Sequence, residues 1–278
     1  MLNQKHKDRV FKFIFSNREW TLDLYNAING SNYKDPDAII FNTIENAIFM
    51  GMNNDVSFII SSEINLWEHQ SSYNPNMPLR FFLYLAQLYE KYIAVSDYNK
   101  YSSTLQKLPR PKCICFYNGT MDQPEKKILR LSEAFDKEGD VELKVTMLNI
   151  NYGKNQAIMN ACKPLKEYSW LIETIRKYQK NNLEEAIEQA INEMPEDFVI
   201  RNFIIGHKAE VKGMFITEWD QEKFLKQQRK ETENNVREAV ARDMLLKKMF
   251  PISVISEISR LSEDVIRNIA SSLGVAVV

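Results

Sequence analysis

The sequence predicts an α/β protein of the α+β kind: a mixed central sheet reached in the order helix, three strands, helix, strand, followed by a helical C-terminal region. Three observations carry this. Residues 55–70 alternate in apolar character with a period of two, broken only at Ser61-Ser62. Residues 7–29 and 79–93, on either side of that run, repeat their apolar side chains at helical spacing. The last third of the chain mixes acids and bases along helical patterning.

Val10, Phe11, Ile14, Phe15, Leu22, Leu24 and Tyr25 predict an opening helix over 7–29, in one piece or two, with Asn29-Gly30 as its stop. A loop containing Asp35-Pro36-Asp37 leads to a first strand around 43–50, and Gly51-Met52-Asn53-Asn54 turns into a hairpin. With Ser61 and Ser62 as a two-residue turn, facing residues have numbers summing to 123, so Ile59 faces Ile64, Ser57 faces Leu66 and Asp55 faces Glu68. Like charges facing one another across a sheet repel, and such a pair calls for a cation between them. Mg2+, with Mn2+ or Ca2+ as alternatives, suits two carboxylate oxygens; the main-chain carbonyl of His69 is a third candidate ligand, and Gln70 shares the face. A one-residue slip would send Asp55 to the other face, and a solvated hairpin with ordinary surface acids is the plain alternative.

Asn74-Pro75-Asn76 and Met77-Pro78 open a second helix, with Leu79, Phe82, Leu83, Leu85, Ala86, Tyr89 and Ile93 apolar. Arg80 falls in its first turn, placed either to hold a phosphate or to fix a carboxylate, with Tyr84 one turn on; a half-buried helix flank fits the same residues. Residues 112–117 predict a fourth strand closed by Asn118-Gly119. Beyond it the patterning predicts a short helix over 129–135, an added strand over 142–152, and helices over 155–162, 164–178, 184–193 and 198–249. Residues 251–275 predict two short helices joined at Arg260-Leu261, the second opened by Ser262-Glu263-Asp264 and ending near Gly274. They have the outline of half a helix-turn-helix, but Glu263 and Asp264 stand where a base-reading helix would show basic or amide side chains, which favours packing or self-association. Domain boundaries follow at 1–155 for a core, 156–250 for a helical extension and 251–278 for a C-terminal segment.

With 278 residues, 44% hydrophobic content and eight glycines, the chain can bury a sizeable core. No apolar run reaches the ~20 residues of a membrane span, and the N-terminus lacks a signal peptide's apolar stretch, which predicts a cytoplasmic protein. Cys113 and Cys115 point to one face of a strand pattern and, with Cys162, read as small buried hydrophobes; His6, His69 and His207 are too scattered for zinc. The net charge of −1 excludes a strongly basic nucleic-acid binder, so any such contact must be local, as in the first eighteen residues, where Lys5, Lys7, Arg9, Lys12 and Arg18 face Asp8 alone.

Asp55, twelve intervening residues and then Glu68-His69-Gln70 resemble the D…(D/E)xK signature of the PD-(D/E)XK nuclease superfamily, with Gln70 where lysine normally stands. The longer string EHQSSYNPNMPLR, followed by FFLYLAQLYEKY, resembles the Rpn family of recombination-promoting nucleases, also labelled transposases, in which an acidic-x-Gln ending is usual. KDRVFKFIF (7–15), LPRPKCICFYNGT (108–120) and MLNINYGKN (147–155) agree, so the resemblance covers roughly the first two thirds of the chain. It implies a restriction-endonuclease-like αβββαβ core and a metal-dependent DNA endonuclease. Asp55, Glu68 and the His69 carbonyl would hold metal, Gln70 would position water, and Arg80 or Lys12 would contact phosphate, with Asp8 and Lys12 as auxiliary acid and base. It further implies DNA as partner and a homodimer, since a double-strand cut needs two sites. A degenerate nuclease fold that binds DNA or a protein partner without cutting is the alternative, suggested by Gln70 and the near-neutral charge. Strand joining by a transposase ranks last, because the acidic triad of an RNase H-like fold is not evident.

Overall fold

The computed structural model describes residues 10–41, 55–96, 98–99, 101–179, 182–247 and 250–275, except for the side chains of 221, 222, 224–226 and 229. The expected strand over 43–50, the turn over 51–54, and Asp8 and His6 lie outside the described residues. The chain divides into two compact units, Met1–Glu218 and Trp219–Val278.

In the first unit the helical pattern opens as two helices, α1 (Val10–Ile14) and α2 (Arg18–Asn29). The break has a local cause: Asn17 adopts an extended backbone and its side chain accepts the Trp20 N–H at 3.1 Å, starting a new helix. Gly30, in the left-handed region at φ 63°, closes α2.

The strands β1 (Ile40–Phe41), β2 (Val56–Ile60) and β3 (Glu63–Gln70) form an antiparallel meander. The helix α3 (Met77–Val95) then carries the chain across to β4 (Arg110–Tyr117), which is parallel to β3. Next come β5 (Lys126–Arg130) and β6 (Lys144–Asn149), and the sheet reads β1-β2-β3-β4-β6-β5, with β6 parallel to β4 and antiparallel to β5. This is a six-stranded mixed open sheet. The helix expected over 129–135 is corrected: 126–130 is an edge strand and only Leu131–Ala134 coils, as a single 3₁₀ turn. The backbone bonds offered by β6 outweigh the helical spacing of so short an apolar run.

Between β2 and β3, Ser61 (φ 45°) and Ser62 (φ 61°) are both left-handed, as a type I′ turn requires. The register is the one that this turn dictates: Ile59 pairs with Ile64, Ser57 with Leu66 and Val56 with Trp67. One face of the sheet carries Ile64, Leu66, Cys113, Cys115, Val145 and Met147 under Met77, Phe81, Tyr84 and Leu88 of α3. The other carries Phe58, Trp67 and Phe116, in edge-to-face contact at 4.8 and 5.5 Å, beneath Phe11 of α1, whose ring lies 4.9 Å from Phe116. Burying each such aromatic side chain contributes about 1.5–3 kcal/mol. Three further helices, α4 (Gln156–Ala161), α5 (Lys163–Tyr178) and α6 (Leu183–Asn192), follow β6, and α7 (Arg201–Gly206) and α8 (Lys208–Lys247) complete the helical run. Tyr168, Leu171, Ile172 and Ile175 of α5 are buried as the pattern predicts, and Cys113, Cys115 and Cys162 are buried free thiols.

In the second unit, Ala241, Met244 and Leu245 of α8 pack with Ile255 of α9 (Ile252–Ser259) and with Ile266, Ile269 and Ala270 of α10 (Glu263–Leu273). Arg260, at φ 56°, forms the turn, and Ser262 starts α10 without a side-chain cap bond. Among the described residues no helix is long and apolar enough to cross a membrane.

Two predictions follow from the turn geometry. Left-handed serines are strained by about 1–2 kcal/mol each. Ser61→Asn with Ser62→Gly, the residue pair that I′ turns favour, should therefore raise the unfolding free energy by about 1 kcal/mol in urea denaturation. At Gly119, by contrast, a Cβ would collide with the Ser71 carbonyl oxygen and the Tyr117 ring. Gly119→Ala should cost about 1–3 kcal/mol in the same assay.

Candidate metal and phosphate site

The site grows out of the hairpin register. Continuing it one step beyond Val56–Trp67 sets Asp55 opposite Glu68, on the face covered by α3, with Gln70 next along the same face. Glu68 is 1% exposed and Gln70 8%, while Asp55 is half-buried. A carboxylate that deep is stable only with polar company. Gln70 Nε2 stands 3.5 Å from Glu68 Oε2, and Arg80 Nη2 donates to the same oxygen at 3.3 Å. The guanidinium also donates to the Tyr84 hydroxyl at 3.0 Å. Of the two roles open to Arg80, carboxylate anchoring is the one in this geometry. Burial pushes the Tyr84 phenol above its ordinary pKa, with the charges of Glu68 and Asp55 acting in the same direction and Arg80 opposing them. Both carboxylates thus act on one hydroxyl.

His69 links the two faces. Its main-chain N–H donates to Asp55 Oδ2 at 2.6 Å, holding that carboxylate toward the strand. The Gln70 carbonyl accepts from Asn118 N and the Ser62 carbonyl from Arg110 N, so even-numbered carbonyls of β3 face β4 and the His69 carbonyl faces the Asp55 side. The His69 side chain goes through to the opposite face. There it stacks on Phe11 at 5.2 Å, and Nε2 lies 3.0 Å from the Tyr168 hydroxyl. Tyr168 accepts from Asn118 Nδ2 at 3.3 Å, and Arg176 donates to both the Asn118 carbonyl and Asn151 Oδ1. This chain of polar contacts was not evident in the sequence, because its members come from β3, the β4 and β6 ends and α5.

Lys12 sits on α1, the helix whose Phe11 packs on the His69 side-chain face, away from the face of Glu68 and Gln70. The structure thus brings Asp55, Glu68, Gln70 and Arg80 to one face and Lys12 to the layer behind it. A further pair went unnoticed in the sequence: Lys127 Nζ is 2.9 Å from the Tyr73 hydroxyl and 4.8 Å from its ring centroid. The two positions are 54 residues apart, and no local pattern encodes their contact.

Among the described residues no three His, Cys, Asp or Glu side chains cluster as a metal site. Two opposed carboxylates and a main-chain carbonyl nevertheless match the donor chemistry of a hard divalent cation, which keeps several waters of its own. The donors present therefore fit such an ion.

The Arg80–Glu68 contact makes a quantitative prediction. Arg80→Ala should lower stability by about 1–3 kcal/mol, because Glu68 loses a charged hydrogen-bond donor. Arg80→Ala combined with Glu68→Gln should lose less than the sum of the single changes, a coupling read from urea titrations of all four proteins.

Comparison with family models, with curated proteins and with solved structures found no match to this chain.

Proposed function

We propose that this protein is a metal-dependent endonuclease hydrolysing DNA phosphodiester bonds. The observation that carries the reading is the hairpin register, which continued one residue past Val56–Trp67 sets Asp55 opposite Glu68, with Asp55 bonded to the His69 N–H and Gln70 beside Glu68 on the same strand. The order of elements from α1 to β4 agrees with the restriction-endonuclease-like core that the sequence resemblance implies.

Asp55, Glu68 and the His69 carbonyl would hold Mg2+ or Mn2+, which when bound supplies charge neutralisation and a more acidic water. The chain's own residues do the rest. His69 N–H fixes Asp55, and Arg80 fixes Glu68. Gln70 can orient a water by hydrogen bonding but carries no charge to polarise it. Arg80, one donor away from Glu68, can exchange part of that contact for a phosphate oxygen.

A second reading is a protein of nuclease ancestry that binds DNA or a protein without cutting it. Arg80 favours it, since a guanidinium 3.3 Å from Glu68 already supplies positive charge there.

Supercoiled-plasmid nicking separates the two. Cutting should require Mg2+ or Mn2+, stop in EDTA, and fall at least ~100-fold in Glu68→Ala, given that even outer-shell partners of a metal are worth 10–100-fold. Equal cutting by parent and Glu68→Ala would sink the endonuclease assignment at this site. Binding without cutting under any metal would leave the second reading.

A further inference from the structure

Register pairing defines a row of side chains across one sheet face. Glu68 pairs with Cys115, Cys115 with Met147, and Met147 with Lys127. With Asp55 opposite Glu68, the row runs from two carboxylates at one end, over buried Cys115 and Met147, to a lysine at the other. Three strand spacings of ~4.8 Å separate the backbones of Glu68 and Lys127 by about 14 Å.

The space above the row is not empty surface. Tyr73, three residues beyond Gln70, packs on the cluster that contains Cys115 and Met147. The half-buried Lys127 extends inward along the face to meet the Tyr73 hydroxyl. An ammonium over a phenol ring, with its hydroxyl at hydrogen-bond distance, is a cation held in place rather than one sweeping through solvent. One N–H of Lys127 is directed to Tyr73, which leaves two donors for an anion. Arg80 is held in the same way by Tyr84 at the other end. One tyrosine-anchored cation therefore stands at the carboxylates and a second at the far end of the row.

We propose that Lys127, held by Tyr73, is a phosphate-binding residue for a nucleic-acid strand that runs from the Asp55–Glu68 pair toward β5 past the C-terminal ends of β3, β4 and β6, beside the part of the face that α3 covers. The inference rests on the endonuclease reading and adds to it the path of the substrate backbone. The ligand is a phosphodiester flanking the one at the carboxylates. A near-neutral chain needs such local cations, because its overall field draws no polyanion.

The test is fluorescence anisotropy of a labelled duplex in EDTA over a potassium chloride series, with the parent, Lys127→Ala, Lys127→Gln, Lys127→Arg and Tyr73→Phe. Removing one phosphate contact should flatten the plot of log K against log salt by about 0.9. Lys127→Ala should show that change, Lys127→Arg should restore the parent slope, and Tyr73→Phe should weaken binding with the slope kept. Thermal melting checks the fold of each variant; should Lys127→Ala melt early, Lys127→Gln, which keeps the apolar stem, gives the same reading. A parent slope in both Lys127→Ala and Lys127→Gln overturns the proposal while metal-dependent nicking still supports the endonuclease. A parent that binds no DNA at any salt overturns both.

Discussion

Everything proposed for this protein depends on the register of one hairpin. Side chains alternate across a sheet, so a slip of one residue between β2 and β3 would send Asp55 to the opposite face from Glu68. The register is held by two left-handed serines at the turn and by the pairing of Ile59 with Ile64 and Ser57 with Leu66 behind them. Strain at Ser61 and Ser62 is offset by the burial of the strands they join, β3 being buried along its whole length. The carboxylates meet where the hairpin opens, farthest from the turn, so the site inherits its geometry from the core.

The two faces of the sheet divide the work. Apolar contacts to α3 cover most of the carboxylate face, leaving its polar residues at the ends of the parallel strands β3, β4 and β6. The opposite face is aromatic, and through it His69 is clamped by Phe11 and Tyr168. The backbone of His69 holds Asp55 while its ring is buried against Phe11 and Tyr168.

Charge is deployed locally rather than globally. The chain is close to neutral overall, yet Arg80 and Lys127 are each stationed on a tyrosine at the carboxylate face. Tyr84 answers to three charges at once, its phenol pushed up by burial and by the two acids and drawn down by Arg80. Such coupling makes the contribution of any one of these side chains depend on its neighbours.

The sequence by itself determined the hairpin and its two-residue turn, because period-two alternation breaks only at Ser61-Ser62, whereas with β3 buried on both faces the register was decided by the pairing of Ile59 with Ile64 and Ser57 with Leu66. It likewise determined the helices at 18–29, 77–95 and 163–178, where long amphipathic patterns and local stop signals agree. Short segments were not legible. Residues 129–135 read as helix by spacing, and only β6, contributing the backbone partners, made Lys126–Arg130 a strand and brought Lys127 into the row with Glu68. The partner of Arg80 was open between phosphate and carboxylate until α3 docked and put Glu68 within reach. The His69–Tyr168–Asn118–Arg176 contacts join positions up to 107 residues apart, from 69 to 176, and no local pattern encodes them. Local periodicity decides what a segment can become, and long-range pairing decides which of its side chains meet.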